Sequence, residues 1–119
     1  MPSDPEKLHR WLLDIHDHIA KAEMFVADLT YEAFENDELR LYAVTRCLEI
    51  VSEASRRLPE GLKTRYPAIK WREMAAAGNI YRHEYDNVAA RRVWIALTQS
   101  LPPLRAVVAA ELAALGRGD

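Results

Sequence analysis

Three stretches of this chain repeat apolar residues at spacings of three and four, and that rhythm commits it to packed helices. Leu8, Leu12, Ile15, Ile19, Ala22, Val26 and Leu29 make the first seam, and Leu39, Ala43, Cys47, Ile50, Ala54 and Leu58 the second. Trp94, Leu97, Leu101, Leu104, Val108, Leu112 and Leu115 make the last. A helix turns once in about 3.6 residues, so this spacing gathers apolar side chains into one stripe that other helices must cover. There is no convincing strand, repeat, glycine-rich phosphate loop or low-complexity stretch.

The punctuation between the seams sets the boundaries. Asp4 can cap a helix that starts at Pro5 and runs to about Asp28, since proline suits the first helical position. Thr30 opens "TYEAFEND", a short polar helical turn or loop. Asp37 is the cap expected for a second helix to about Leu58, which Pro59 and Gly61 end. "EGLKTRYPAIK" is a connector with one helical turn. Pro67 disfavours helix at Tyr66, so a third helix is expected from Ile69 or Lys70 to about Tyr85, with Trp71, Met74 and Ala75 inward. Gly78 weakens that helix by about 1 kcal/mol relative to alanine, and close approach of a neighbouring backbone is one compensation. Pro102 and Pro103 interrupt the last stretch, with Ser100 as a possible cap, which predicts a kink there or two abutting helices. The expected fold is all-α, an antiparallel bundle of four to five helices in a single domain over residues 1–119, with a frayed tail at 116–119.

Composition narrows the function classes. A chain of 119 residues that is 50% apolar can bury a core without staples. The single cysteine, Cys47, rules out an intrachain disulfide and a cysteine-rich zinc site. No uninterrupted run of about 18 apolar residues occurs, which argues against a membrane span. The start, "MPSDPEKLHRW", lacks the order of a signal peptide, so a cytoplasmic protein is expected. Net charge is −2, but residues 1–62 hold 7 basic and 13 acidic groups while residues 63–92 hold 7 basic and 3 acidic. Positive charge in that second block favours a phosphate-bearing ligand.

Within the basic block, "GNIYRHEYDNV" at residues 78–88 gathers the chemistry. Asn79 and His83 are four apart and share a helical face, which Arg82 borders. Tyr85 can swing towards His83 if Asp86 and Asn87 end the helix. Histidine is suited to moving protons near neutral pH, and arginine and asparagine can hold a phosphate. A lone histidine on a helical face is more often structural, so spacing leaves the cluster open between a site and a polar helix face. Elsewhere, Asp14 and His18 could offer two metal ligands, and His9 and His16 share a face about 10 Å apart. No third ligand follows from spacing, so neither metal nor cofactor is expected. Trp11, Trp71 and Trp94 at helical spacing read as core or interface, and Cys47 as a packing residue.

Over nearly its whole length the chain resembles the HepT-like ribonuclease toxins, a branch of the HEPN helical domains. The likeness rests on "LLDIHDHIAKAEMFV", "LTYEAFENDELRLYAVTRCLEIVSEASRRLP", "RYPAIKWREMAAAGNIYRHEYDNV" and "VWIALTQSLPPLRAVV". The family motif is an arginine, usually followed by a polar residue, with histidine five positions after the arginine and tyrosine two beyond. His83, Tyr85 and Asn79 match it, while the arginine position falls on Gly78. Arg82, four residues on, can project from the same side, and Arg72 is a more distant candidate for the missing charge. The resemblance implies a homodimer with one composite RNA site and metal-independent cleavage, in which His83 moves the proton and Arg82 and Asn79 stabilise phosphorane-like charge. Tyr85 would position the phosphate. It further implies a nucleotidyltransferase antitoxin as partner, with Tyr85 as the acceptor of an inhibitory adenylyl group. The alternative is a non-catalytic HEPN protein that binds RNA or nucleotide, or serves as a helical partner of the nucleotidyltransferase.

Overall fold

The computed structural model describes the backbone at residues 4–81 and 86–117, and side chains at 4–78 and 89–116. The chain is an all-α bundle, as the apolar rhythm predicts. Its elements are α1 (Pro5–Phe25), α2 (Tyr31–Glu35), α3 (Glu38–Arg57), α4 (Glu60–Thr64), α5 (Trp71–Tyr81), α6 (Asp86–Ile95), a π-helical stretch (Ala96–Ser100) and α7 (Leu101–Arg117). α1 packs along α3 and α7, and α5 lies along the other side of α3.

Helix starts follow the caps. The Asp4 carboxylate accepts from the Glu6 amide, the Thr30 hydroxyl from the Ala33 amide, and the Asp37 carboxylate from the Arg40 amide at 3.0 Å. α1 stops at Phe25, earlier than Asp28, because the chain turns there and Asp28 takes a left-handed conformation with φ 67°. A short polar residue tolerates that region better than most. Val26 and Leu29 still pack against the core.

The Arg40 amide and guanidinium, both bonded to Asp37, hold its carboxyl below the usual carboxylate range. A lowered folded-state value means that the cap stabilises above the unfolded value and is lost as pH falls through the folded one. Asp37→Ala should therefore lower the thermal midpoint at pH 7, with the gap closing below about pH 4. A circular-dichroism melt across pH checks this, and an equal gap at pH 2 would contradict it.

One expectation needs correction. The α3 seam read from Leu39 is rotated: the buried stripe is Leu41, Val44, Cys47, Leu48, Val51, Ala54 and Leu58, with Ser52 and Ser55 inside it. Leu39 is 81% exposed, and Ala43 and Ile50 are only half-buried. Apolar residues flank both sides of α3, and the two buried serines disguise the true stripe. The irregularity expected near Pro102 and Pro103 is present, and α7 starts at Leu101. The irregularity falls just before them, as five π-helical residues whose last turn has the Leu101 amide reaching back to the Ala96 carbonyl. Proline lacks the amide for the next helical bonds, and a widened turn accommodates that loss.

Buried residues from α1 (Leu12, Ile15, Ile19, Ala22) meet those of α3 and the stripe Ala90, Val93, Leu97, Leu101, Leu104 and Val108. By length and composition alone, Ala89–Gly116 could cross a membrane, at 28 residues and mean hydropathy 1.2. It contains no uninterrupted apolar run of about 18 residues, and its apolar stripe is the one packed into this core. The connector before α5 is pinned to α7, where the Glu111 carboxylate accepts from Tyr66 Oη and from Arg65. That carboxylate raises the Tyr66 phenol above its ordinary value, and burial adds to the effect.

Candidate nucleic-acid site

The site is built outward from α5, the helix that leads into residues 82–85. Its first turn is fixed by Trp71, whose indole Nε1 donates to the carbonyls of Lys63 and Tyr66, each at 3.1 Å. Its middle is locked to α3 through one carbonyl. Ser52 Oγ and the Arg56 guanidinium both donate to the Ala75 oxygen, at 2.8 and 2.7 Å. Three residues on, a methyl group on Gly78 would stand 3.4 Å from Glu49 Cα and from Ser52 Cβ and Oγ. The close approach expected from the glycine is present, and it is with α3.

These contacts fix the register. Ala75 faces Ser52 and Arg56, and Gly78 faces Glu49 and Ser52, so the two helices run antiparallel. The last turn of α5 is thereby carried towards the turn of α3 that holds Arg46. Gly78 lies in a groove of about 380 Å³ bordered by Arg46, Glu49, Ser52, Glu53 and Arg56. Arg56 is paired with Glu53 at 3.3 Å. Arg46 is exposed and has no ion pair among the described residues.

On its other side α5 forms one wall of a larger groove of about 1070 Å³. Lys70, Glu73 and Met74 come from the α5 side, and Arg91, Arg92 and Ile95 from α6, so the two helices flanking residues 82–85 face each other across it. The basic block of the sequence is thus divided. Arg65 is neutralised by Glu111, and Lys63 lies 3.9 Å from Glu60. Lys70, Arg91 and Arg92 line the groove together with the carboxylates Glu35 and Glu73. The Arg91 guanidinium sits 5.1 Å above the Tyr31 ring, a cation–π contact. Burial and the Glu35 carboxylate push the Tyr31 phenol up. The groove can take a polyanion along its cationic side and an apolar or planar group on its floor.

Of the expected site residues, Arg82, His83 and Tyr85 lie outside the described residues, as does the side chain of Asn79, whose backbone is in α5. Arg72 is exposed in the first turn of α5. It stands six residues before Gly78, about 9 Å along the axis, and does not border the Gly78 groove. Arg46 and Arg56 were missing from the expected set. They lie at Gly78 only because of the α3–α5 register, which no local spacing reveals.

The remaining candidates resolve as packing. His18 Nδ1 donates to the Asp14 backbone carbonyl at 2.7 Å, so that ring nitrogen is already engaged. No group of three or more potential ligands converges among the described residues. Cys47 is buried, which pushes its thiol up and away from the reactive thiolate. Trp11, Trp71 and Trp94 all pack against the core.

The comparisons with known proteins agree with this architecture. A family model described as "Ribonuclease HepT-like" matches residues 15–111, which include α5 and the whole motif stretch. The chain is 36% identical over 95 residues to a Thermococcus cleftensis protein named "Probable ribonuclease HepT", covering 80% of this chain and 86% of the relative. It is 32% identical over 95 residues to "Putative RNase MJ0125" of Methanocaldococcus jannaschii, covering 80% and 82%. A "Putative RNase" of Caldanaerobacter subterraneus subsp. tengcongensis is 30% identical over 79 residues, covering 66% and 70%. No solved structure matches the chain. A model match across most of the length and relatives above 30% identity place it without ambiguity: the chain belongs to the HepT-like ribonuclease family.

Proposed function

We propose that the protein is the toxin of a toxin–antitoxin pair, a metal-independent endoribonuclease acting as a homodimer. The family match over residues 15–111 carries this reading, because it spans the stretch holding Asn79, His83 and Tyr85 in the motif spacing. In the reaction, His83 takes the proton of an RNA 2′-hydroxyl. The 2′-oxygen bonds to the adjacent phosphorus, the bond from phosphorus to the 5′-oxygen breaks, and a proton is delivered to that leaving oxygen. The products are a 2′,3′-cyclic phosphate and a 5′-hydroxyl. Asn79 and nearby arginines, with Arg82 the nearest in sequence, stabilise the extra negative charge on phosphorus, and Tyr85 positions the phosphate.

The exposed stripe of α3 supports a second copy at this site. The described face of α3 leaves Leu39 at 81% and Tyr42 at 62% exposure, on the helical stripe that also carries Arg46. Large exposed apolar side chains side by side mark interaction surfaces. A single mass equal to one chain in sedimentation at micromolar concentration would count against the dimer.

Control is assigned to a nucleotidyltransferase antitoxin that adenylylates Tyr85. A bulky anion on the phenol would enter the RNA path and repel phosphate. With such a partner and ATP, the wild type should gain one adenylyl mass and lose activity while Tyr85→Phe gains none. Modification of Tyr85→Phe to the same extent would place the acceptor elsewhere.

Gly78 favours a second reading, a non-catalytic helical protein that binds RNA or the nucleotidyltransferase. The motif arginine is absent there, and the glycine is buried against α3. The two readings part on RNA cleavage by the purified protein.

A further inference from the structure

The groove beside Gly78 suggests where the missing cation comes from. An arginine at position 78 would direct its side chain past Glu49 and Ser52, into the space between Arg46, Glu53 and Arg56. That groove already holds two guanidiniums and two carboxylates. Arg56 is committed, paired with Glu53 at 3.3 Å and donating to the Ala75 carbonyl at 2.7 Å. Arg46 is exposed, has no ion pair among the described residues, and lies on the turn of α3 towards which the end of α5 runs. A third arginine at 78 would crowd like charges, whereas glycine leaves the space open for a guanidinium reaching in from α3.

We propose that Arg46 is a phosphate-binding residue of this protein, a cation supplied from α3 into the groove that Gly78 leaves open beside the motif. Arginine suits this task because its fork can hold two phosphate oxygens at once. Arg82 is then not the principal replacement for the motif arginine. The inference rests on the ribonuclease reading for its catalytic consequence, but phosphate binding by Arg46 can be measured without cleavage.

The test uses the full chain with a single-stranded RNA oligonucleotide and with its 2′-O-methyl counterpart, which cannot undergo attack by the 2′-oxygen. Arg46→Ala should bind the 2′-O-methyl strand at least about tenfold more weakly at low salt. Its log–log salt slope should fall by about 0.7, the loss of one phosphate contact on a single strand. Arg46→Lys should recover charge without the fork, so the salt slope returns while affinity is only partly restored. In cleavage, Arg46→Ala should lose at least about tenfold in rate, and adding Gly78→Arg should restore most of it. Arg46 is exposed, so an unchanged thermal midpoint certifies the fold of the variant.

Arg46→Ala with wild-type affinity and salt slope overturns the proposal, whatever the cleavage result. If no sample cleaves but the Arg46-dependent salt slope is present, the phosphate contact stands and the ribonuclease reading falls. If His83→Ala is inactive while Arg46→Ala cleaves and binds at full strength, the ribonuclease reading stands and the Arg46 proposal falls. Failure of the wild type to bind the strand at all overturns both.

Discussion

His83→Ala is expected to lower RNA cleavage by about 10² to 10⁴-fold, the range that a positioned general acid or base supplies. Histidine is the only side chain whose ordinary pKa lies near neutrality, so alanine removes the proton acceptor best matched to the step. The neighbouring tyrosine is a far weaker base, and the arginines remain protonated. The variant should still bind RNA with a wild-type salt slope, because in the proposed reaction His83 moves a proton while the cations hold the phosphate. Steady-state cleavage combined with equilibrium binding checks both parts. Cleavage persisting within threefold of wild type would remove His83 from the mechanism.

Phe34→Ala is expected to cost about 3–5 kcal/mol of stability, the range for removing a fully buried aromatic side chain. Phe34 has no exposure, although it sits on a helix of only five residues. Its ring lies 5.3 Å from that of Trp94, and Tyr31 meets the same indole edge-on at 5.7 Å. α2 therefore anchors α6, the helix that leaves residues 82–85, to the rest of the bundle. Urea unfolding should show the loss as a lower midpoint with little change in slope. A change below 1 kcal/mol would mean that α2 is not part of the cooperative core.

How much of this was legible in the sequence depended on how singly each residue pattern could be read. The α1 seam is unambiguous, because its apolar residues lie on one stripe with charge opposite, and Leu12, Ile15, Ile19 and Ala22 are indeed its buried members. α3 misleads because Leu39, Ala43 and Ile50 make a second apolar line beside Leu41, Val44, Leu48 and Val51. Only the positions of α1 and α5 decide which line faces inward. Caps at Asp4, Thr30 and Asp37 could be read locally because their bonds are local. The prolines at 102 and 103 announce an irregularity, but whether a helix breaks or widens depends on what packs beside it.

The site was legible in a different way. Asn79, His83 and Tyr85 stand out through resemblance, while their spacing alone left a polar helix face as the more common reading. Gly78 carried a partial message: close approach of a neighbouring backbone was one compensation for a glycine within the helix, and α3 is that neighbour. The identity of the groove beside it could not be read, because Arg46 and Gly78 are 32 positions apart in sequence and meet only through the antiparallel register of α3 and α5.

The most direct test of the central claim is the chemistry of the cut ends. Purified protein is incubated with single-stranded RNA in excess EDTA, and the fragments are resolved by mass. The account predicts internal cuts that leave a 2′,3′-cyclic phosphate and a 5′-hydroxyl, made by the wild type and lost in His83→Ala. Fragments ending in a 3′-hydroxyl and 5′-phosphate, or intact RNA after prolonged incubation, would contradict it.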